Sequence, residues 1–365
     1  MVGKVIVVDY RIEIIDKDGA EYKFYNTILK LTLNRSIDMQ TASLNFSIAN
    51  TGTKNLFNFT GIDGIICNGN KVKCYINNKI QFRGIIRNFE IDDNKQILNV
   101  VCNDIMCLLL RPIDGGIPFH VFKGITATAF ISLIAKKAGI DNIKFNIDIS
   151  NNYTIKNLKV RYDTQMSDLI DECLGTLEAR SRIDKNGTLV IEKLYPAYKS
   201  SDVKNNTNYM WHYDDFVRIG NLNRKRSSET LYNRVLIRYD DKSYDSFEEP
   251  DMLKYVGFVN FKEVESPMAD TNDKRQRVAN KFFLKCWREN SKLDVIATKG
   301  KDDIDLGQII RISLNKNVVG HYMVTGINTT IENGIYIDQL ALDGCRENLN
   351  GAKKSTGNYT IKEGE

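Results

Sequence analysis

A pattern of alternating apolar residues occurs twice in this chain, once toward each end, with the same punctuation. Gly69-Asn-Lys-Val72-Lys-Cys74-Tyr-Ile76-Asn77 aligns with Gly307-Gln-Ile-Ile310-Arg-Ile312-Ser-Leu314-Asn315: a glycine, apolar residues at every second position, and a closing asparagine. With a two-residue insertion the match continues, setting Phe82 against Tyr322, the turn Asp92-Asp93-Asn94-Lys95 against Glu332-Asn333-Gly334, and Val100 and Cys102 against Leu340 and Leu342. Period-two alternation marks strands with one buried face, and Asn/Gly turns close hairpins. The repeat predicts two related antiparallel β-meanders in one chain. Such a duplication builds rings more readily than it builds an active site.

At 365 residues the chain exceeds the ~250–300 at which a single core stops growing, so two to three domains are expected. Residues 1–115 read as a first β-barrel, with strands over Val5–Ile15, Tyr22–Leu33, Ser43–Ile48, Val72–Ile76, Gln81–Ile91 and Gln96–Cys102. Asp16-Lys-Asp-Gly19 reads as its first hairpin turn and Asp104–Leu110 as a short helical cap. Residues 116–195 change period and read as a small α+β domain. One helix starts at Thr126 and stops at Gly139, a second begins near Thr164, and a hairpin follows with an Asn-Gly turn at Asn186-Gly187. Residues 196–231 read as an extended connection around Tyr209-Met-Trp-His-Tyr213, and 232–345 as a second β-barrel. That second domain holds a long helix, about 267–289, opened by Ser266-Pro267, and 346–365 read as a polar, flexible tail. The fold class is mainly β with α+β insertions: two related antiparallel β-barrel domains plus a small α+β domain.

The residues supply little chemistry. Three histidines, His120, His212 and His321, each stand alone, and seven cysteines lack the paired spacing of a zinc site, as reduced core thiols would. Asp16-Lys-Asp-Gly19 opens like a calcium loop, but its glycine comes too early and Thr27 stands where the closing glutamate belongs. There is no Gly-x-Ser-x-Gly, Walker or dinucleotide glycine motif. The expectation is therefore no catalytic residue, no cofactor and no metal. Glu178, Asp184, Asp240 and Asp241 could form the carboxylate pair of a hydrolase, although Asp184 is more simply a turn residue. Arg224-Lys225-Arg226 and Lys274-Arg275-x-Arg277 are basic clusters, the second on the outer face of a helix, as for a solvated or protein-binding surface. A net charge of +5, mixed along the chain, does not argue for specific nucleic-acid binding. No run approaches the ~20 apolar residues of a membrane span, and Met1–Asp9 meets a charge too soon for a signal peptide. A chain made and kept in a cytoplasm, until assembly or lysis, is expected.

The order of these elements resembles a known family. The resemblance is carried by "GNKVKCYINNKIQFRGIIRNFEIDD" followed by "VVCNDIMCLLLR", the helix from Thr126 to Gly139, "DTQMSDLIDECLGTLEARSRIDKNGTLVIEKL", "YNRVLIRY" and "GQIIRISLNKNVVGHYMVTGINTTIENGIYIDQLAL". Together these stretches resemble the baseplate hub proteins of contractile-tailed bacteriophages and of phage-tail-like bacteriocins (tailocins), the group that includes the late-control D proteins. The resemblance implies a non-enzymatic virion or tailocin protein, assembled in the bacterial host cytoplasm. It implies a homotrimer whose two barrels per subunit make a pseudo-sixfold ring between a hexameric tail tube and a trimeric spike. Tail tube or initiator proteins and the spike would be its partners, with the tape measure and baseplate wedge proteins as further neighbours. The duplication fits this independently, since three chains with two units each supply six. A tail-tip cell-wall hydrolase and a hub of a non-contractile tail are the alternatives. Outward residues of the repeats are the candidate assembly-interface positions: Lys73 and Arg311 at matching places, and His321, which alternation puts opposite the core.

Overall fold

The computed structural model describes residues 8–25, 27–37, 41–49, 64–92, 94–113, 119–194, 207–212, 216–219, 231–240, 243–290, 292–315, 318–345 and 351–355. It opens with a hairpin of β1 (Tyr10–Ile15) and β2 (Glu21–Phe24). The Asp16 carboxylate accepts from the N–H groups of Asp18 and Ala20 at 3.0 and 2.9 Å, and Gly19 takes the positive φ the turn requires. Strands β3 (Ile28–Ser36), β4 (Ser43–Ala49), β5 (Lys71–Ile76), β6 (Lys79–Asp92) and β7 (Ile97–Asp104) follow, in the spatial order β3-β4-β7-β6-β5-β1-β2. Alternation turns Leu31, Leu44, Phe46, Cys74, Val100 and Cys102 into one core. Asp104 ends this run, its carboxylate accepting from the Met106 N–H at 3.0 Å to cap a 3-10 turn over Ile105–Leu108.

The middle segment contains β8 (Phe119–Phe122), β9 (Ile125–Thr126), α1 (Ala127–Ala138), β10 (Ile143–Asn146), β11 (Thr154–Ile155), β12 (Leu158–Arg161), α2 (Met166–Thr176), β13 (Ala179–Ile183) and β14 (Leu189–Lys193). Thr126 caps α1 through the Ala129 N–H at 3.3 Å, and Gly139 ends it with φ +88°. Phe130, Ile131 and Ile134 of α1 pack with Leu169, Ile170 and Cys173 of α2 in a separate core. Asp184 is fully employed by the β13–β14 turn, where its carboxylate accepts from Asn186 and Thr188 N–H, each at 2.9 Å.

Next come β15 (Thr207–His212), β16 (Phe216–Ile219), β17 (Arg234–Asp240), β18 (Ser243–Glu248), α3 (Pro250–Val256), β19 (Phe261–Glu265) and α4 (Asn272–Glu289). The chain closes with β20 (Leu293–Lys299), β21 (Ile309–Asn315), β22 (Val318–Glu332), β23 (Ile335–Gly344) and β24 (Lys353–Lys354). Three sequence expectations are revised here. The stretch read as a connection supplies two strands, β15 parallel to β21 and β16 antiparallel to β20. The long helix starts at Asn272, because Thr271 caps it at the Lys274 N–H, while the N–H of Met268 upstream bonds to Glu172 at 2.6 Å. The polar tail is anchored in part: β24 pairs with β18, and the Ala352 N–H and C=O bond to Asn280 and Gln276, each at 2.9 Å.

Strands β17, β18 and β19, joined by β24, form a four-stranded sheet of their own in the order β19-β17-β18-β24, backed by Val278, Ala279 and Phe283 of α4. The two meanders do not stand apart. They share a thirteen-stranded sheet in the order β16-β20-β23-β22-β3-β4-β7-β6-β5-β1-β2, with β21 on β22 and β15 on β21. The junction is β22 against β3, antiparallel from Gly326↔Ser36 to Glu332↔Lys30.

Candidate assembly interface

The repeat seen in sequence is a repeat of backbone geometry. Gly69 and Gly307 both have positive φ (+94° and +79°) at the entry to β5 and β21. The Gly69 N–H bonds to Ile86 O at 2.8 Å and the Ile86 N–H returns to Asn70 O at 2.9 Å; Gly307 to Val324 O and Val324 to Gln308 O repeat both distances. The pairs Lys71↔Ile85, Val72↔Gly84, Lys73↔Arg83 and Cys74↔Phe82 recur as Ile309↔Met323, Ile310↔Tyr322, Arg311↔His321 and Ile312↔Gly320. A bulge follows at the same place in each copy, between Ile86 and Asn88 and between Val324 and Gly326.

This register corrects the sequence alignment at one point. Phe82 corresponds to Gly320, and Tyr322 to Gly84, because the two extra residues sit at the hairpin tip instead of before the aromatic. Asp92↔Ile97 is the last rung of the first copy, whereas the second continues past Thr330↔Ile337 to Glu332↔Ile335. Aromatic and glycine have exchanged places between copies: the Phe82 ring lies over Gly84, and the Tyr322 ring lies 3.2–3.4 Å from where a Cβ on Gly320 would stand. Each ring covers bare backbone that has no side chain of its own.

The three candidate residues occupy two equivalent places. Arg311 and His321 are direct cross-strand neighbours, and Lys73 takes the place of Arg311 in the first copy. Their adjacent buried residues, Val72 and Cys74 or Ile310 and Ile312, face the core, so all three lie on the outer face. Lys73 is not an independent surface charge. Its Nζ lies 2.9 Å from Glu21 Oε1 and 3.9 Å from Glu13 Oε2, and Glu13, only 4% exposed, also meets Arg11 at 3.1 Å and Lys23 at 3.7 Å.

A second polar cluster, which the sequence reading did not single out, joins both meanders to the α+β domain. Arg35 meets Asp305 at 2.8 Å, Lys79 meets Asp302 at 3.1 Å, and Gln81 Nε2 donates to Asp302 O at 2.9 Å. From β13 and its turn, Arg182 reaches Asp305 at 3.4 Å and Lys185 donates to Asp302 O at 2.7 Å. Burial pushes the Lys185 amine down to about 8. Arg180, 1% exposed, pairs with Glu192 at 2.9 Å and donates to the Met323 sulfur. The signal was present in Lys301-Asp-Asp-Ile-Asp305, which stands where the first copy has Asp63-Gly-Ile-Ile-Cys67. A departure from the repeat marks this contact.

The basic face of α4 is likewise turned inward. Lys274 and Arg275 are 8% and 7% exposed and pair with Asp270 and Asp245; Lys281 meets Asp171 at 3.0 Å, and Arg277 donates to Asn151 O and Thr176 O. The Arg224–Arg226 cluster and Asp241 lie outside the described residues, as do the side chains of the aromatic segment. Among the described residues no helix is long and apolar enough to cross a membrane, and all seven cysteines are free thiols.

Two meanders fused edge to edge, with an α+β domain clasped across them, define a mainly β architecture found in tail proteins of bacteriophages. The 43 kDa tail protein of prophage MuSo2 from Shewanella oneidensis superposes with a TM-score of 0.65 at 10% identity, over 92% of this chain and 97% of that one. The tail protein from Neisseria meningitidis MC58 gives 0.67 at 14% identity, over 92% and 96%. The E. coli c3393 protein gives 0.51 at 10%, over 88% and 74%; it is described as a component of the type VI secretion system with structural similarity to the T4 bacteriophage tail proteins gp27 and gp5. No curated protein matches the sequence. The family profile described as YQBQ-like matches residues 31–343, and the chain belongs to that family.

Proposed function

We propose that this chain is a structural hub of a contractile phage tail or tailocin baseplate, in which three copies form a ring of six similar units between a hexameric tube and a trimeric spike. The observation that carries the reading is the equivalence of the two meanders within one chain, from Lys71↔Ile85 to Cys74↔Phe82 against Ile309↔Met323 to Ile312↔Gly320, and at the bulges after Ile86 and Val324. A threefold assembly of such chains presents sixfold character on one side and threefold on the other, which a symmetry adaptor needs. The phage-tail and type VI neighbours support the same reading, and a spike of such a system is the partner it proposes. Light scattering behind a sizing column tests it. The expected mass is three times the 41.7 kDa of the chain, alone or with the spike, and a monomer at high concentration counts against it.

A further inference from the structure

We propose that the cavity between α4 and the junction of β3, β22 and β23 binds a short oligophosphate, free or as the tail of a nucleotide. Such a site needs neither a second copy nor a spike, so it stands apart from the hub reading. The cavity measures about 270 Å³, close to the ~300 Å³ at which small-molecule sites begin. Its α4 wall carries Lys281, Lys285 and Arg288 at positions i, i+4 and i+7 of one helix face, and Lys292 follows just past the helix end. Among the described residues one acid lines it, Asp343 of β23. Arg288 is 5% exposed, so its side chain is enclosed. Lys281 meets Asp171 at 3.0 Å, whereas the exposed Lys285 and Lys292 meet no carboxylate among the described residues. Like charges four residues apart on a helix repel, and enclosure strengthens the repulsion. An anion seated among them reverses its sign. The donors suit phosphate over carboxylate: a guanidinium fork and three ammonium groups offer more N–H than the two oxygens of one carboxylate take, and a phosphate chain presents acceptors on every side. Ser36 of β3 adds a hydroxyl to the lining.

The repeat accounts for the position of the cavity. Each copy breaks its ladder with a bulge, whose extra residue is Arg87 in the first and Thr325 in the second, and Thr325 lines the cavity. In the first copy the 3-10 turn over Ile105–Leu108 packs directly on β6 and β7. In the second, β23 ends at Gly344 and the cover is α4, which packs on β23 across the cavity. The cation that the first copy carries on its bulge is thus supplied in the second by the helix opposite, and several times over.

Equilibrium dialysis of the full chain against inorganic triphosphate and against a nucleoside triphosphate tests this. The second ligand brings in the apolar wall of Ile37, Leu194 and Met323, so the pair distinguishes a free anion from a nucleotide. Saturable binding of either is expected, weakened about tenfold or more in the double variant Lys285→Gln/Lys292→Gln. The control Lys136→Gln/Lys144→Gln, at exposed positions of the α+β domain, should bind as the parent does. Citrate, a carboxylate anion, is expected to bind at least about tenfold more weakly than triphosphate. The absence of saturable uptake, full binding by the Lys285/Lys292 variant, or citrate binding as tight as triphosphate overturns the site. Amine acylation read by mass spectrometry needs no variant. In the unmodified chain triphosphate should slow labelling of Lys285 and Lys292 several-fold and leave Lys136 unchanged, and equal labelling with and without it overturns the proposal.

Discussion

Gly84 and Gly320 illustrate how one residue can have two costs in a repeated structure. A Cβ on Gly84 would collide with the Asn103 carbonyl oxygen and the Phe82 ring, whereas on Gly320 it would meet only the Tyr322 ring at 3.2 Å. Gly84→Ala is expected to destabilise by about 2 kcal/mol or more and Gly320→Ala by under ~1 kcal/mol, read from urea unfolding midpoints. Lys73→Glu should likewise affect the fold before it affects assembly. It places a third carboxylate beside Glu13 and Glu21, and a loss of about 1–3 kcal/mol is expected by the same measurement. Asp104 supplies a pH dependence. Burial raises its carboxyl to about 7 against an unfolded value of about 3.9, so the folded chain holds the proton more tightly. The associated stability is fully present below about pH 4 and is lost as pH rises through 7. Asp104→Asn keeps the acceptor for Met106 and should flatten that decline, leaving the variant at least as stable as the parent at pH 8 in denaturant titrations at pH 4.5 and 8. The short helical segment from Asp104 was legible in the sequence, but not the burial of the Asp104 carboxyl, which depends on where β4 passes.

At the scale of elements, the β13–β14 hairpin was legible from Asn186-Gly187, and α1 from Thr126 and Gly139, because each signal is local. What the hairpin grips was not legible. Arg180 to Glu192 is a buried pair whose other neighbours, Gly307 and Met323, are distant in sequence. Arg180→Ala strands part of that polar site and is expected to cost about 3 kcal/mol, whereas Arg161→Ala, from an exposed pair with Asp163, should cost under ~0.5 kcal/mol; thermal melts would rank them. The strands within 207–219 were missed for a related reason. Their pairing is decided by β20 and β21, and a Ser/Asn/Lys-rich surround gives no alternation to count. The helix start was misplaced by five residues because Ser266-Pro267 is also a plausible opening, and only the Met268–Glu172 contact shows that the chain is still turning there.

For the whole molecule, the duplication visible in sequence was enough to anticipate a mainly β fold with two related units, but not that the units share one sheet. The long strand β22 serves both: its first half holds β21, its second half holds β3, and β23 pairs with it from Tyr322 to Glu332. That arrangement sets a clock on biosynthesis. Lys30 leaves the ribosome long before its partner Glu332, and at ~5–20 residues per second the outer edge of β3 waits roughly fifteen seconds to a minute for its cover. Lys30 and Arg35 place cations along the waiting strand, a deterrent to pairing with a neighbouring nascent chain. Folding of the first half is therefore completed from the far end of the message.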